Sequence, residues 1–155
     1  MNTKLLIQQM IRLMEVQDIT SDVSNYLDST YLKTSDQAGI SDEDTKNNIM
    51  SLLDDALTHN MKLVMVRPEQ VSLARKVIDQ RNGNTLVGTV IDFPFGNGST
   101  VDKVNEAKTA INMGVDELDY VTDYRAFKDG NTDKFVRDIL SGTKIGLDNG
   151  KVVKW

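Results

Sequence analysis

Residues 88–129 read GTVIDFPFGNGSTVDKVNEAKTAINMGVDELDYVTDYRAFKD, and this stretch decides the fold. An apolar run to Phe93 meets a glycine-rich turn, Gly96-Asn97-Gly98. Ser99-Thr100-Val101-Asp102 then forms an S-x-x-D capping box, which opens a helix marked by Val104, Ala107 and Ile111. Gly114 closes that helix, and Glu117 to Val121 reads as a second strand with two acids among apolar residues. Strand, turn, helix and strand make a βαβ unit, which implies parallel pairing and a right-handed crossover.

The same alternation extends in both directions. Upstream, Met61 to Val66 (MKLVMV) is a continuous apolar run suited to a strand buried on both faces. Pro68 follows at the first turn of a helix with Val71, Ala74 and Ile78 on its buried side, and Asn82-Gly83 stops it. Earlier still, the capping box Ser41 to Asp44 opens a helix with the stripe Ile49, Leu52, Leu53, Ala56 and Leu57, ending at His59-Asn60. Tyr31 to Ser41 is polar and predicts a loop, and Val23 to Thr30 predicts a short first strand. Leu6, Met10, Leu13 and Met14 place an apolar stripe on an extra N-terminal helix. Downstream, a last helix is expected over about Thr132 to Leu140, and Lys151 to Trp155 reads as a fifth strand beginning.

Strand centres fall roughly 25 to 35 residues apart, the length of a βα unit. The fold class is therefore α/β, with about five parallel strands in a single domain over residues 1–155. Two architectures accommodate this pattern. One is an open doubly wound sheet; the other is a partial TIM (β/α)8 barrel, whose complete form takes about 250 residues.

Composition narrows the chemistry. A net charge of -5 argues against nucleic acid or an anionic membrane as partner. There is no cysteine and only one histidine, His59, so neither a thiolate nor a multi-histidine metal site is expected. The N-terminal apolar run is too short for a membrane span or signal peptide, so a cytoplasmic location is expected. Gly96 and Gly98 lack the third glycine of a dinucleotide fingerprint, and no phosphate-binding G-x-x-x-x-G-K-[ST] occurs.

Period-two alternation puts Glu117 and Asp119 on one face of their strand and Leu118 and Tyr120 on the other. In a barrel the apolar pair would pack under helices and the acids would point inward. An inward carboxylate needs a cation or hydrogen-bond donors, and it serves either as a buried ion pair or as a proton-transfer group. Asp28 and Thr30 share one face of the first strand. The Gly96 to Ser99 turn could present backbone amides to an anion. Lys33, Lys62, Lys128, Lys144, Lys151 and Lys154 lie near strands or loops, Lys154 within an apolar strand; Arg67 and Arg125 follow strands.

The stretches YLDSTYLK at Tyr26 to Lys33, VRPEQV at Val66 to Val71, DFPFGNGSTVDKVNEAK at Asp92 to Lys108, and GVDELDYVTDYRAFKDGN at Gly114 to Asn131 resemble the deoxyribose-phosphate aldolases, class I (Schiff-base) aldolases on a TIM barrel. The resemblance implies reversible cleavage of 2-deoxyribose 5-phosphate to acetaldehyde and glyceraldehyde 3-phosphate, without metal or organic cofactor. It implies that Asp119 works in a proton relay with a lysine, and that Asp28, Thr30 and Lys154 line the site of the phosphorylated sugar. A homo-oligomer is expected. The family's imine-forming lysine lies on its sixth strand and the main phosphate loops follow strands six to eight, beyond the segments matched here. The 155 residues alone are thus expected to be inactive, with a self-associating half-barrel or a phosphate-ligand module as alternatives.

Overall fold

The computed structural model describes residues 23–155, so the expected N-terminal helix lies outside the described residues. Five strands form one sheet: β1 (Asp28–Tyr31), β2 (Leu63–Val66), β3 (Leu86–Ile91), β4 (Glu117–Tyr120) and β5 (Val152–Lys154). They pair in sequential order, and every pairing is parallel. Sequential order excludes the doubly wound alternative, in which the strand order reverses partway through the sheet.

Among the described residues six α-helices accompany the strands: α1 (Ser35–Ala38), α2 (Asp42–Thr58), α3 (Val71–Gln80), α4 (Thr100–Asn112), α5 (Tyr124–Lys128) and α6 (Thr132–Asp148). The expected caps are in place. Ser41 accepts the Asp44 N–H at 3.0 Å, and Ser99 accepts the Asp102 N–H at 3.1 Å, so each satisfies an orphan donor of the first turn. Pro68 begins a short 3-10 turn, Pro68–Gln70, that leads into α3.

One face of the sheet packs on the helices. Val64, Val66, Val87, Ile91, Leu118 and Tyr120 meet Ile49, Leu53 and Ala56 of α2, Val71, Ala74 and Ile78 of α3, and Ala107 and Ala110 of α4. The other face carries Leu63, Met65 and Val90, joined by Leu32, Leu86 and Phe93, with no helix over it among the described residues. Helices on one face and side chains on the other are the two layers of a barrel wall.

The sheet is strongly curved. Laid flat, β1 and β5 would stand about 19 Å apart, four strand spacings. Yet Lys154 Nζ on β5 lies 3.0 Å from Asp28 Oδ2 on β1. Only a sheet closed round its helix-free face brings those edges within reach of two side chains.

Three sequence expectations are corrected. Val23–Tyr26 is a 3-10 turn, and the first strand starts at Asp28. The polar loop after it contains α1, capped by Thr34. The last helix does not stop near Leu140 but runs to Asp148, with Gly142 and Gly146 inside it. A Cβ on Gly146 would sit 2.2 Å from Val153 Cγ2, and one on Gly142 would sit 2.7 Å from the Trp155 ring. These glycines therefore mark close approach of α6 to β5 rather than a helix end. Trp155 fills the space beside Gly142 and Val153 that beside Gly146; the Trp155 ring stacks on Tyr120 at 4.4 Å and its indole N–H donates to Thr143 Oγ1 at 3.0 Å.

Candidate active site

The strand register sets the inner face in rows. Thr30, Met65, Gly88, Glu117 and Val152 form one row; Val90, Asp119 and Lys154 form the next toward the C-terminal strand ends. Along this face lies a concavity of about 310 Å³ lined by Asp28, Thr30, Met65, Phe93, Asp119 and Val121. Strand C-terminal ends are where β/α barrels keep their chemistry. Asp28 and Thr30 share a face, and so do Glu117 and Asp119, as alternation predicts; the curvature brings the two pairs and Lys154 together on the inner side.

Within this group one cation faces three carboxylates. The Lys154 ammonium is paired with Asp28 and with Glu117. Burial works against the charged amine, but the Glu117 and Asp28 carboxylates outweigh it and hold Lys154 above the ordinary lysine range. Asp119 is the register partner of Lys154 but makes no ion pair with it, and it receives no hydrogen bond among the described residues. Burial raises the Asp119 pKa; Lys154 opposes this, while Glu117 and Asp28 add to it. Glu117 is fully buried, and its carboxylate has no hydrogen-bond partner beyond its contact with Lys154.

A second charged cluster, on the helix side, escaped the sequence reading. Lys103 of α4 is 1% exposed. Its ammonium donates to Gly96 O at 2.8 Å and Val121 O at 3.0 Å, and it pairs with Asp138 at 3.1 Å and Asp92 at 3.5 Å. Lys134 of α6 donates to Asp123 at 2.6 Å, Asp138 at 3.1 Å and Gly98 O at 3.2 Å. Thr100 Oγ1 donates to the other Asp138 oxygen. Lys134 keeps Asp123 below the usual carboxylate range; for Asp138, burial pushes upward, but the Thr100 and lysine hydrogen bonds win and its pKa is lowered. The signal was spacing: Lys103 lies four and seven residues before Ala107 and Ala110, the buried stripe of α4.

This cluster also answers the anion reading of the glycine-rich turn. The Gly98 N–H donates to Asp92 Oδ2 at 2.7 Å, so the chain supplies its own carboxylate there. The remaining candidates are dispersed. Lys144 pairs with Asp148 at the surface, Arg67 donates to Leu32 O at 3.3 Å, Arg125 lies over Tyr124, and His59 caps α2. Among the described residues no three His, Cys, Asp or Glu side chains converge as a metal-binding group. No helix among them is long and apolar enough to cross a membrane.

A curved parallel sheet in sequential order, with helices outside and a lysine among carboxylates inside, is the wall of a partial (β/α)8 barrel. In sequence the chain is similar to the deoxyribose-phosphate aldolases, at 36% identity over 133 residues to that of Thermococcus gammatolerans and 36% over 131 residues to that of Staphylococcus saprophyticus. Those matches cover 86% and 84% of this chain and 56% and 54% of the relatives, so the chain spans little more than half their length. A solved aldolase structure superposes with a TM-score of 0.72 at 27% identity, over 85% of this chain and 53% of that one. A tetrameric deoxyribose phosphate aldolase from Aeropyrum pernix, at 22% identity and a TM-score of 0.69, shares the fold over 86% of this chain and 51% of its own. No protein-family model matches the chain.

Proposed function

We propose that residues 23–155 build the first-to-fifth-strand side of a deoxyribose-phosphate aldolase site, cytoplasmic and without metal or organic cofactor. Asp119 is its proton-transfer group, and Asp28, Thr30 and Lys154 contact the phosphorylated sugar. The observation that carries this reading is the Lys154 bridge across the inner face to Asp28, at the start of β1, beside an Asp119 that no hydrogen bond holds among the described residues. A carboxylate with a raised pKa is better matched to proton exchange near neutrality than an ordinary one. Lys154, held as an ammonium by two carboxylates, is a poor imine-forming nucleophile and a good partner for sugar or phosphate oxygens.

The imine-forming lysine must then come from strands other than these. Borohydride treatment of the 155-residue polypeptide with 2-deoxyribose 5-phosphate is expected to leave no covalent adduct by mass spectrometry. Fusion to the remaining strands of the Thermococcus gammatolerans relative is expected to give retro-aldol cleavage. Asp119→Asn in that fusion should slow it by about 100-fold or more. An adduct on the polypeptide alone, or a fusion indifferent to Asp119→Asn, overturns the reading.

Self-association is a second reading, favoured by one observation. Among the described residues β1 and β5 each have a single neighbour, and Val136, Leu140, Leu147 and Val152 are exposed. Sedimentation of the polypeptide should show a dimer or larger species; a monomer at high concentration rejects it.

A further inference from the structure

Lys154 has a choice of partner, and the choice is unexpected. Its register neighbour is Asp119, the carboxylate nearest along the strand pairing. Instead the ammonium leans back one row to Glu117 and across the concave face to Asp28. Glu117 is fully buried and has no other hydrogen-bond partner among the described residues, whereas Asp119 and Asp28 are partly open to solvent. A carboxylate without water depends on its one cation far more than a carboxylate that water can solvate. The ammonium therefore goes where the desolvation cost is greatest.

We propose that Glu117 is a positioning residue of this site: by holding the Lys154 ammonium against itself and Asp28, it keeps that cation off Asp119 and leaves Asp119 free to exchange a proton. The charged groups bearing on Asp119 are Lys154 from β5, Glu117 from its own strand and Asp28 from β1. Glu117 acts on it twice, by its own like charge and by detaining the cation. Its removal works in one direction on both counts, because the repulsion disappears and Lys154 becomes free to pair with Asp119. The inference deepens the proposed role of Asp119, but its test uses no substrate, so either can fail without the other.

The experiment is a pH titration of the Asp119 side-chain carboxyl by carbon-13 NMR on the 155-residue chain. Glu117→Gln, which keeps shape and removes charge, is expected to move the Asp119 midpoint down by about one pH unit. Glu117→Asp, which restores a carboxylate, should bring it back toward the parent. Lys154→Met should move it upward. In the double variant Glu117→Gln/Lys154→Met, the effect of Glu117→Gln should shrink to the direct repulsion alone. An Asp119 midpoint that stays or rises in folded Glu117→Gln overturns the proposal. Should Glu117→Gln fail to fold, a lowered midpoint in Lys154→Met overturns it equally, since the cation would then not favour the ionised form of Asp119 and there would be no pull to withhold.

Discussion

β4 separates two lysine clusters that use the same chemistry to opposite ends. On the helix side, Lys103 and Lys134 face Asp92, Asp123 and Asp138, and backbone carbonyls of Gly96, Gly98 and Val121 take further ammonium protons. On the inner side, Lys154 alone faces Asp28, Glu117 and Asp119, and Asp119 has no donor. The first cluster is saturated; the second is short of cations. Saturation ties loops together, because each charge buried there is compensated. A shortage leaves a carboxylate whose proton affinity responds to what enters the concavity. The outer cluster also serves the inner one: Lys103 holds Val121 O, two residues beyond Asp119, and so fixes the strand end that presents it.

The largest break in this contrast comes from Asp138, which both outer lysines share and which is 2% exposed. Asp138→Ala leaves two ammoniums and the Thr100 hydroxyl without their common acceptor. The expected cost is about 3–5 kcal/mol, as for other buried pairs broken on one side. Urea unfolding measures it. A loss below about 1 kcal/mol would place the outer cluster in the same loosely held class as the inner one.

Lys134→Met tests the outer cluster more gently. Lys134 is about a quarter exposed, so water replaces part of what is lost, and a cost of about 1–3 kcal/mol is expected. The pH dependence has a definite sign. Asp123 and Asp138 have depressed pKa values when folded, so their contribution is present above the unfolded carboxylate value of about 3.9 and disappears as pH falls through the folded values. Stability of the parent should therefore drop on acidification in that range, and the Lys134→Met variant should lose less there. Equal acid sensitivity of the two would detach Lys134 from the cluster's energetics.

The difference between the clusters also explains what the sequence could disclose. Period-two alternation points Glu117 and Asp119 inward and puts Asp28 and Thr30 on one face of β1, but which face that is comes only from the family resemblance. The sheet's curvature was not legible, because pairing order and the Lys154 to Asp28 bridge depend on residues 126 positions apart. The outer cluster was missed for a different reason. Lysine and aspartate on helices normally face water, and the stripe rule reads only apolar residues, so nothing in the pattern singles out Lys103 or Asp138. The helix end expected near Leu140, just before Gly142, fails for a related reason: local propensity disfavours glycine in a helix, whereas here Gly142 and Gly146 let the helix approach β5.

The smallest predicted effect has the opposite sign. Asp119 is the one inner carboxylate without a partner, and its pKa is raised when folded, mainly by burial. A group with a raised carboxylate pKa binds its proton more tightly in the folded chain than in the unfolded one. Its ionisation thus destabilises the fold as pH rises from the unfolded value, and the penalty is complete above the folded midpoint. Asp119→Asn cannot ionise and escapes that penalty. The variant should match the parent below about pH 3.9 and exceed it at neutral pH. Solvent screens a partly exposed group, so the gain should be about 0.5 kcal/mol, at the low end for a stabilising substitution. Paired thermal melts at pH 3.5 and pH 7 read both limits. A stabilised variant that is inactive in the aldolase fusion would mark Asp119 as a residue kept for chemistry at the expense of stability. A destabilised variant would show instead that Asp119, like Asp138, is held by partners, and the contrast across β4 would close.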